Sequence, residues 1–386
     1  MNGNWLLPEH LADVLPAEAR RVEDLRRTLL DLFRTRGFET VSPPMLEYID
    51  PLLTGAGEDL NLKTFKLVDQ LSGRTLGLRA DMTPQITRID THLLNRPGVT
   101  RLCYCGPVLH ARPTGLLASR ELLQIGAEIF GYAGVQADLE IIRLAARSLS
   151  VAGLSVFQVV LCHDGLVKAL IESDAAALAR ADEIIALLRD KDLPGLACLE
   201  QGLRPLARQT IEALKALPRL YGSREVLGRA REVLPKLPGV TAALDQLITV
   251  FDAHDDLEIS VDLADTGAYG YHCGVTFSFY APGWHDALVR GGRYDNVSLA
   301  FGRARPATGF SMDLRRVAQA SGPAPRALAI LAPADDATDL SVLVEQLRQQ
   351  GEIVVQLFPG ETAQHDEFVF DRELAFDGQQ WVMRAV

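Results

Sequence analysis

The sequence predicts an α+β fold: an antiparallel-rich sheet flanked by helices, a helical insertion within it, and a small α/β tail. Three observations predict it. Short β-type runs bounded by Gly and Pro recur on both sides of a long Ala- and Leu-rich block. That block, from Gly165 to about Phe251, switches to helical spacing, as in DEIIALLRD and SREVLGRAREVL. Past Ser321-Gly322-Pro323-Ala324-Pro325, which reads as a linker, the pattern becomes strand, helix, strand. A chain of 386 residues exceeds one ordinary core. The expected organisation is a main domain of residues 1–164 and 252–320, a helical insertion at 165–251 and a C-terminal α/β segment at 321–386.

Taken in order, residues 16–36 read as an amphipathic helix. Val22, Leu25, Leu29, Leu32 and Phe33 recur at three- and four-residue spacing, and Gly37 supplies the stop. GFETVSPPMLEY follows as an extended segment; Pro43 and Pro44 cannot donate to a ladder, which puts it at an edge or interface. FKLVDQ and RTLGLRA form a hairpin about Ser72-Gly73. TRLCYCGPVL and RELLQIGAEIF are two further strands joined by HARPTGLLAS, and VFQVVLC is another. After the helical block, strands return at LEISVDLA, GYHCGVTFSFY and ALVRGGRYDNV, and GFSMDLRRVAQA runs from strand into helix. The tail gives a strand (ALAILA), a helix (LSVLVEQLRQQG) and a strand (EIVVQLF).

Charge and motif content exclude several classes. With 39 Lys and Arg against 50 Asp and Glu, the net charge of −11 argues against a nucleic-acid coat. No apolar run reaches the ~18 residues needed to cross a bilayer, and Met1 to His10 lack a signal-peptide order, so a cytoplasmic protein with no membrane partner is expected. The five scattered cysteines suit reduced thiols. Cys103 and Cys105 share a strand face, but no second pair or His spacing completes a zinc site, and neither a metal nor a cofactor is expected. There is no GxxxxGK[ST], no GxGxxG after a strand, and no GxSxG.

Five segments carry chemistry, the first two forming a pair. In ALVRGGRYDNV, paired glycines allow close backbone approach, with Arg293 and Tyr294 next to them. ATGFSMDLRRV leads a strand into a helix bearing Arg315 and Arg316. In YHCGVTFSFY and the residues before it, Tyr269, Tyr271 and His272 crowd around Gly270 and Gly274. In RELLQIGAEIF, Gln124 and Glu128 lie two pleats apart and face the same way; aimed into a β-rich core, they are costly unless they meet a polar ligand. In GLRADMTPQITR, Asp81 and Thr83 are likewise expected on one face. Each segment by itself is also compatible with a purely structural role, which would leave Gln124 and Glu128 buried without a polar partner.

In this order the segments resemble the catalytic domain of histidyl-tRNA synthetase, a class II aminoacyl-tRNA synthetase, over roughly residues 8–320. GFETVSPPMLEY looks like motif 1, RLCYCGPVLHARP…LLQIGAEIFG like motif 2 and PATGFSMDLRRV like motif 3; GYHCGVTF and GGRYD look like the histidine-specific signatures. The resemblance implies that fold for the sheet and a histidine pocket in which Asp81 and Thr83 lie near the ammonium group. Gln124 and Glu128 belong to the same site, and Tyr271, His272 and Tyr294 flank or hydrogen-bond the imidazole. The chemistry agrees: an ammonium group wants carboxylates, and an imidazole wants a donor, an acceptor and a flat wall.

The departures bear on activity. The family's phosphate-contacting arginine before the paired tyrosines corresponds to Gly267. The motif 2 arginine that clamps the α-phosphate is replaced by His110, with Arg112 an alternative donor; Arg316 keeps motif 3's arginine, so ATP binding is not excluded. Losing one fixed donor costs roughly 2.7–4 kcal/mol of transition-state stabilisation. Residues 322–386 number only 65, with 4 Lys or Arg against 11 Asp or Glu, a poor reader of an anticodon stem.

A histidine pocket kept while these features are lost resembles the regulatory subunits of ATP phosphoribosyltransferase, paralogues of the synthetase. That resemblance implies a chain without catalytic residues of its own, which partners a short-form catalytic subunit in the first step of histidine biosynthesis and takes part in feedback by L-histidine. It further implies a homodimer within a hetero-oligomer, and no tRNA. The rival expectations are an active histidyl-tRNA synthetase and a different amino-acid ligase or sensor on the same scaffold.

Overall fold

The computed structural model describes residues 6–386 apart from 56–57, 114, 116–117, 202–204, 267–270 and 324. The chain forms two compact units: Leu25–Ser321 with the residues through Ala12, and Gly322–Val386 with Asp13–Asp24.

The larger unit is built on a nine-stranded sheet, ordered β1-β5-β6-β12-β11-β10-β7-β9-β8 among the described residues. Its strands are β1 (Glu39–Thr40), β5 (Thr100–Leu109), β6 (Glu121–Phe130), β7 (Gln158–His163), β8 (Tyr221–Gly222), β9 (Ile259–Asp262), β10 (Val275–Tyr280), β11 (Val289–Arg293) and β12 (Ala307–Asp313). Only β1–β5 and β7–β9 run parallel; every other pair is antiparallel. Beside it is a three-stranded antiparallel sheet of β2 (Leu46–Tyr48), β4 (Thr75–Leu78) and β3 (Phe65–Val68). β3 and β4 form the hairpin expected between FKLVDQ and RTLGLRA.

The segment GFETVSPPMLEY is not one strand. It splits at Pro43-Pro44, with β1 at the edge of the large sheet and β2 at the edge of the small one. Proline supplies no N–H, but its carbonyl still needs a donor if buried. Arg79, 4% exposed, answers this by donating from Nη1 to the Pro43 carbonyl and from Nε to the Pro107 carbonyl, each at 2.8 Å. Gln85 donates from Nε2 to the Pro44 carbonyl and to Glu47, both at 2.8 Å. One guanidinium and one amide therefore fix where the chain passes between sheets.

The helices of this unit are α1 (Pro16–Arg34), α2 (Ile49–Leu53), α3 (Glu58–Lys63), α4 (Thr83–Arg88), α5 (Val135–Val151), then the block between β7 and β9, and finally α13 (Leu314–Ala320). That block comprises α6 (Asp164–Glu172), α7 (Ala175–Leu178), α8 (Ala181–Arg189), α9 (Leu193–Cys198), α10 (Arg208–Ala216), α11 (Glu225–Val233) and α12 (Pro238–Asp252), with β8 interrupting it. α1 contributes to the larger unit from Leu25 onward; Leu25, Leu29 and Phe33 are buried, and Phe33 meets Phe310 edge-on at 5.9 Å.

Two helical stretches lie outside the expected elements. α5 buries Ile141, Ile142, Leu144, Ala145 and Leu149, a clear helical stripe. α4 continues through a π-helical stretch, Ile89–Leu94, so the Asp81–Thr83 region is a turn entering a helix and not a strand. GYHCGVTFSFY becomes a strand only at Val275.

In the smaller unit, β14 (Val354–Gln356), β13 (Ala327–Ala332), β15 (Phe368–Phe376) and β16 (Trp381–Ala385) form a sheet in that order. α14 (Thr338–Gln349) packs Leu340, Val344 and Leu347 against Ile330, Val354 and Leu374. The β15–β16 hairpin was not among the expected strands. Its turn is set by Asp377, whose Oδ1 accepts from the backbone N–H of Gln379 and Gln380 at 2.8 and 2.9 Å, and by Gly378 at φ +101°.

Replacing Arg79 by Ala removes the donors for two proline carbonyls and should cost about 2–5 kcal/mol of stability. Urea unfolding measures it. Arg79→Lys should recover only part, because a single ammonium cannot span both acceptors.

Candidate ligand-binding site

The site begins on β6, whose alternation aims Gln124, Gly126 and Glu128 at one face of the sheet. Gly126 stands opposite Tyr104 on β5, and a Cβ there would lie 2.5 Å from the Tyr104 hydroxyl. Gly309 stands opposite Glu128 on β12, and a Cβ there would lie 1.5 Å from Glu128 Oε2. The missing side chains make the room into which the ring and the carboxylate fold.

Glu128 is 1% exposed. It accepts hydrogen bonds from the hydroxyls of Tyr294 (2.7 Å), Tyr104 (3.0 Å) and Thr83 (3.4 Å). All three partners are neutral, and among the described residues no Lys or Arg pairs with it. Burial pushes its pKa up to about 8, against the pull of the Tyr294, Tyr104 and Thr83 hydroxyls and with help from the Asp81 charge. The same burial, then the nearby carboxylates, drives the phenols of Tyr104, Tyr271 and Tyr294 well above their ordinary value.

A second carboxylate adjoins it. Asp81 Oδ1 accepts from the Thr83 backbone N–H at 3.0 Å and from Gln124 Nε2 at 2.9 Å. Gln124 Oε1 accepts from the Met82 N–H at 2.9 Å, which fixes the amide's orientation. Asp81 and Thr83 thus meet through a local turn at the start of α4, not through the shared strand face expected from their spacing. The expectation that Gln124 and Glu128 need an external polar partner is also corrected: backbone and side-chain groups already satisfy both.

The aromatic wall comes from the other side. Tyr271 stacks on Tyr294, ring centroids 5.3 Å apart and planes at 27°, and meets His272 edge-on at 5.1 Å. The Tyr271 hydroxyl is buried beside Thr83, whose side chain is its nearest polar neighbour named among the described residues. In GGRYD the arginine and the tyrosine divide: Arg293 turns to Asp138 of α5, donating from Nη2 at 2.9 Å, while Tyr294 turns to Glu128. So Asp81, Thr83, Gln124, Glu128, Tyr271, His272 and Tyr294 come together. Tyr104, which sequence reasoning missed, sits at their centre. Its signal was Gly126, an empty position between two inward polar residues that a neighbouring strand must fill.

The remaining candidates lie elsewhere. His110, just past the end of β5, hydrogen-bonds the Ala80 carbonyl through Nε2 at 3.0 Å; its Nδ1 is buried without a partner among the described residues. Burial lowers its pKa and Lys63 adds to this, so it is a neutral ring, not a fixed cation. Arg112 is exposed. Arg316 pairs with Asp286 at 3.0 Å and lies over the Trp284 ring at 5.8 Å. Gly267 and Tyr269 fall outside the described residues.

This sheet and its acidic, tyrosine-walled pocket define a protein of the histidyl-tRNA synthetase class. Residues 10–317 match the family model for histidyl-tRNA synthetase. A histidyl-tRNA synthetase from Nostoc shares the fold with a TM-score of 0.76 at 18% identity, over 99% of this chain and 97% of that one. Within the class the tail is decisive, since residues 326–384 match the ATP phosphoribosyltransferase subunit HisZ C-terminal domain. The ATP phosphoribosyltransferase regulatory subunit of Bordetella petrii is 62% identical over 384 residues, covering 100% of both chains. That of Paraburkholderia xenovorans is 55% identical over 379 residues, 98% of each. A solved structure from Bacillus halodurans, described as an ATP phosphoribosyltransferase regulatory subunit/histidyl-tRNA synthetase, has a TM-score of 0.83 at 26% identity, over 96% of this chain and 98% of that one. The chain belongs to the family of ATP phosphoribosyltransferase regulatory subunits. Its role is regulatory, in histidine biosynthesis, with a catalytic subunit as partner.

Glu128 gives a pH signature. Unfolded, its carboxyl ionises near 4.5; buried, it keeps its proton to about 8, so folding takes up a proton between those values and stability falls as pH rises through them. Glu128→Gln removes that dependence. The melting temperature of the variant relative to the wild type should therefore climb from about pH 5 to about pH 8 and then level off. A pH-independent difference would place the carboxyl in water.

Proposed function

We propose that the pocket binds free L-histidine and that its occupancy reports to the catalytic subunit, without adenylation or tRNA charging by this chain. The observation that carries the reading is Glu128, a buried carboxylate whose partners are all hydroxyls, beside the second carboxylate of Asp81. Such a site lacks a cation, and the α-ammonium group of an amino acid supplies one. Tyr271 and His272 offer the flat wall, and Tyr271 a buried hydroxyl, that an imidazole can use.

Supporting the loss of adenylation, His110 is a neutral ring where a phosphate clamp would be needed, and Arg316 is engaged with Asp286. Supporting the loss of tRNA recognition, the tail from 322 to 386 carries 4 basic against 11 acidic residues. On this reading residues 1–164 and 252–320 are the histidine-sensing domain, 165–251 its insertion and 321–386 a tail that reads no anticodon. The setting is the cytoplasm. A homodimer is supported by the apolar side chains exposed about the three-stranded sheet, Leu46 at 41%, Leu67 at 45%, Val68 at 71% and Leu71 at 98%.

Calorimetry on the purified chain should show one histidine per chain, and Glu128→Ala should lose about 2 kcal/mol, roughly 30-fold in affinity. Between pH 7 and 8 binding should release protons, read from the dependence of the enthalpy on buffer, because the incoming ammonium lowers the Glu128 pKa. Histidine-dependent pyrophosphate exchange should be absent, and added histidine should depress phosphoribosyl transfer by the complex. Robust exchange would establish a synthetase instead. Val68→Asp with Leu71→Asp should shift the chain to monomers in sedimentation if the apolar patch is the dimer contact.

A further inference from the structure

The helical block between β7 and β9 holds a second cleft, of about 390 Å³, that shares no lining residue with the Glu128 pocket. One wall is the face of α10 and the 3₁₀ turn Leu217–Arg219 after it, on which Glu212, Lys215 and Arg219 recur at three- and four-residue spacing. The other wall is α11, where Arg229 and Val233 share a face. Leu220, 5% exposed, lies between them as an apolar floor.

The charges around this cleft are unevenly matched. Lys215 pairs with Glu200 at 2.9 Å, and Glu212 with Arg208 at 2.8 Å. On and beside α11, Arg224 pairs with Asp252 at 2.7 Å, and Arg231 pairs with Asp245. Among the described residues neither Arg219 nor Arg229 forms an ion pair; Arg229 has only the charge of Glu225, one turn earlier on α11, near it, and both arginines line the same cleft. In a chain with 50 acidic against 39 basic residues, partners for two more arginines are not scarce. Both arginines add positive charge to one cleft, and an anion bound there would offset it.

We propose that this cleft binds a small phosphate-bearing molecule, at a site separate from the amino-acid pocket. Each guanidinium presents a planar fork that matches two phosphoryl oxygens, and Lys215 adds a third cation at the wall. Leu220 and Val233 give the rest of the ligand an apolar surface. The volume of about 390 Å³ falls within the range of small-molecule sites. For a regulatory subunit of an enzyme that acts on ATP, the site would let a phosphorylated metabolite be read independently of the amino acid.

The test titrates the full-length chain with inorganic phosphate, pyrophosphate and AMP in separate calorimetric experiments, with histidine as the control ligand. Saturable binding of at least one probe is expected, weakened 10-fold or more in the Arg219→Ser, Arg229→Ser double variant, with histidine binding unchanged. AMP binding more tightly than the inorganic probes would identify a nucleotide; equal affinities would identify the phosphoryl group alone. Both side chains are exposed, and Arg229→Lys serves as a second variant that keeps the charge but loses the fork. No saturable binding by any probe up to about 1 mM, or binding unaltered in the double variant, overturns the proposal.

Discussion

A carboxylate buried with hydroxyls and no counter-charge is the constraint around which the larger unit is arranged. Glu128 cannot be held as an anion at low cost in that position, and burial raises its pKa to about 8. Everything near it answers this difficulty. Tyr104 brings its hydroxyl from β5, Tyr294 from just past the end of β11, and Thr83 from the start of a helix. Asp81 is held in place by Gln124, which is itself held by the Met82 backbone. The result is a site with negative character and fixed geometry, in which a positively charged guest would improve the energy of groups already in place.

The strand alternation that builds this face also separates its duties. Gly292 and Tyr294 serve the pocket, while Arg293 between them points away and locks to Asp138, with both side chains under 10% exposed. Such a buried pair contributes position more than stability. Arg316, similarly, spends its charge on Asp286. The sheet thus keeps its recognition chemistry while its cations are committed to the scaffold. An arrangement of this kind suits a regulatory subunit, since a tenfold shift between two states of a complex needs only about 1.4 kcal/mol of differential binding.

Much of this was legible in the residue order, and the failures have physical causes. β5 and β6 run from Thr100 to Leu109 and from Glu121 to Phe130, close to the runs read from composition, because alternation and Gly-Pro punctuation agree there. Gln124 and Glu128 share a face because period two is strict in a paired strand. Thr83 defeated the same rule, since Pro84 at the first turn of α4 had already ended the extended backbone. Tyr104 was hidden because its role depends on the strand pairing that sets it over Gly126, a relation between residues 22 apart. The partners of Glu128 come from three separate segments, and no local pattern announces them. The C-terminal hairpin carried a readable Asp-Gly turn, but its strands are only half-buried and alternate weakly.

Gly309 has its own bearing on how such a chain can change over generations. The acid's oxygen lies where the first carbon of any other side chain would have to be, 1.5 Å away. Any side chain at that codon would have to displace the carboxylate, and the Ala127 carbonyl at 2.7 Å bars it from the backbone side as well. The acid at 128 is therefore expected to be inherited only alongside a glycine at 309, the two lying 181 residues apart in the chain and face to face in the sheet.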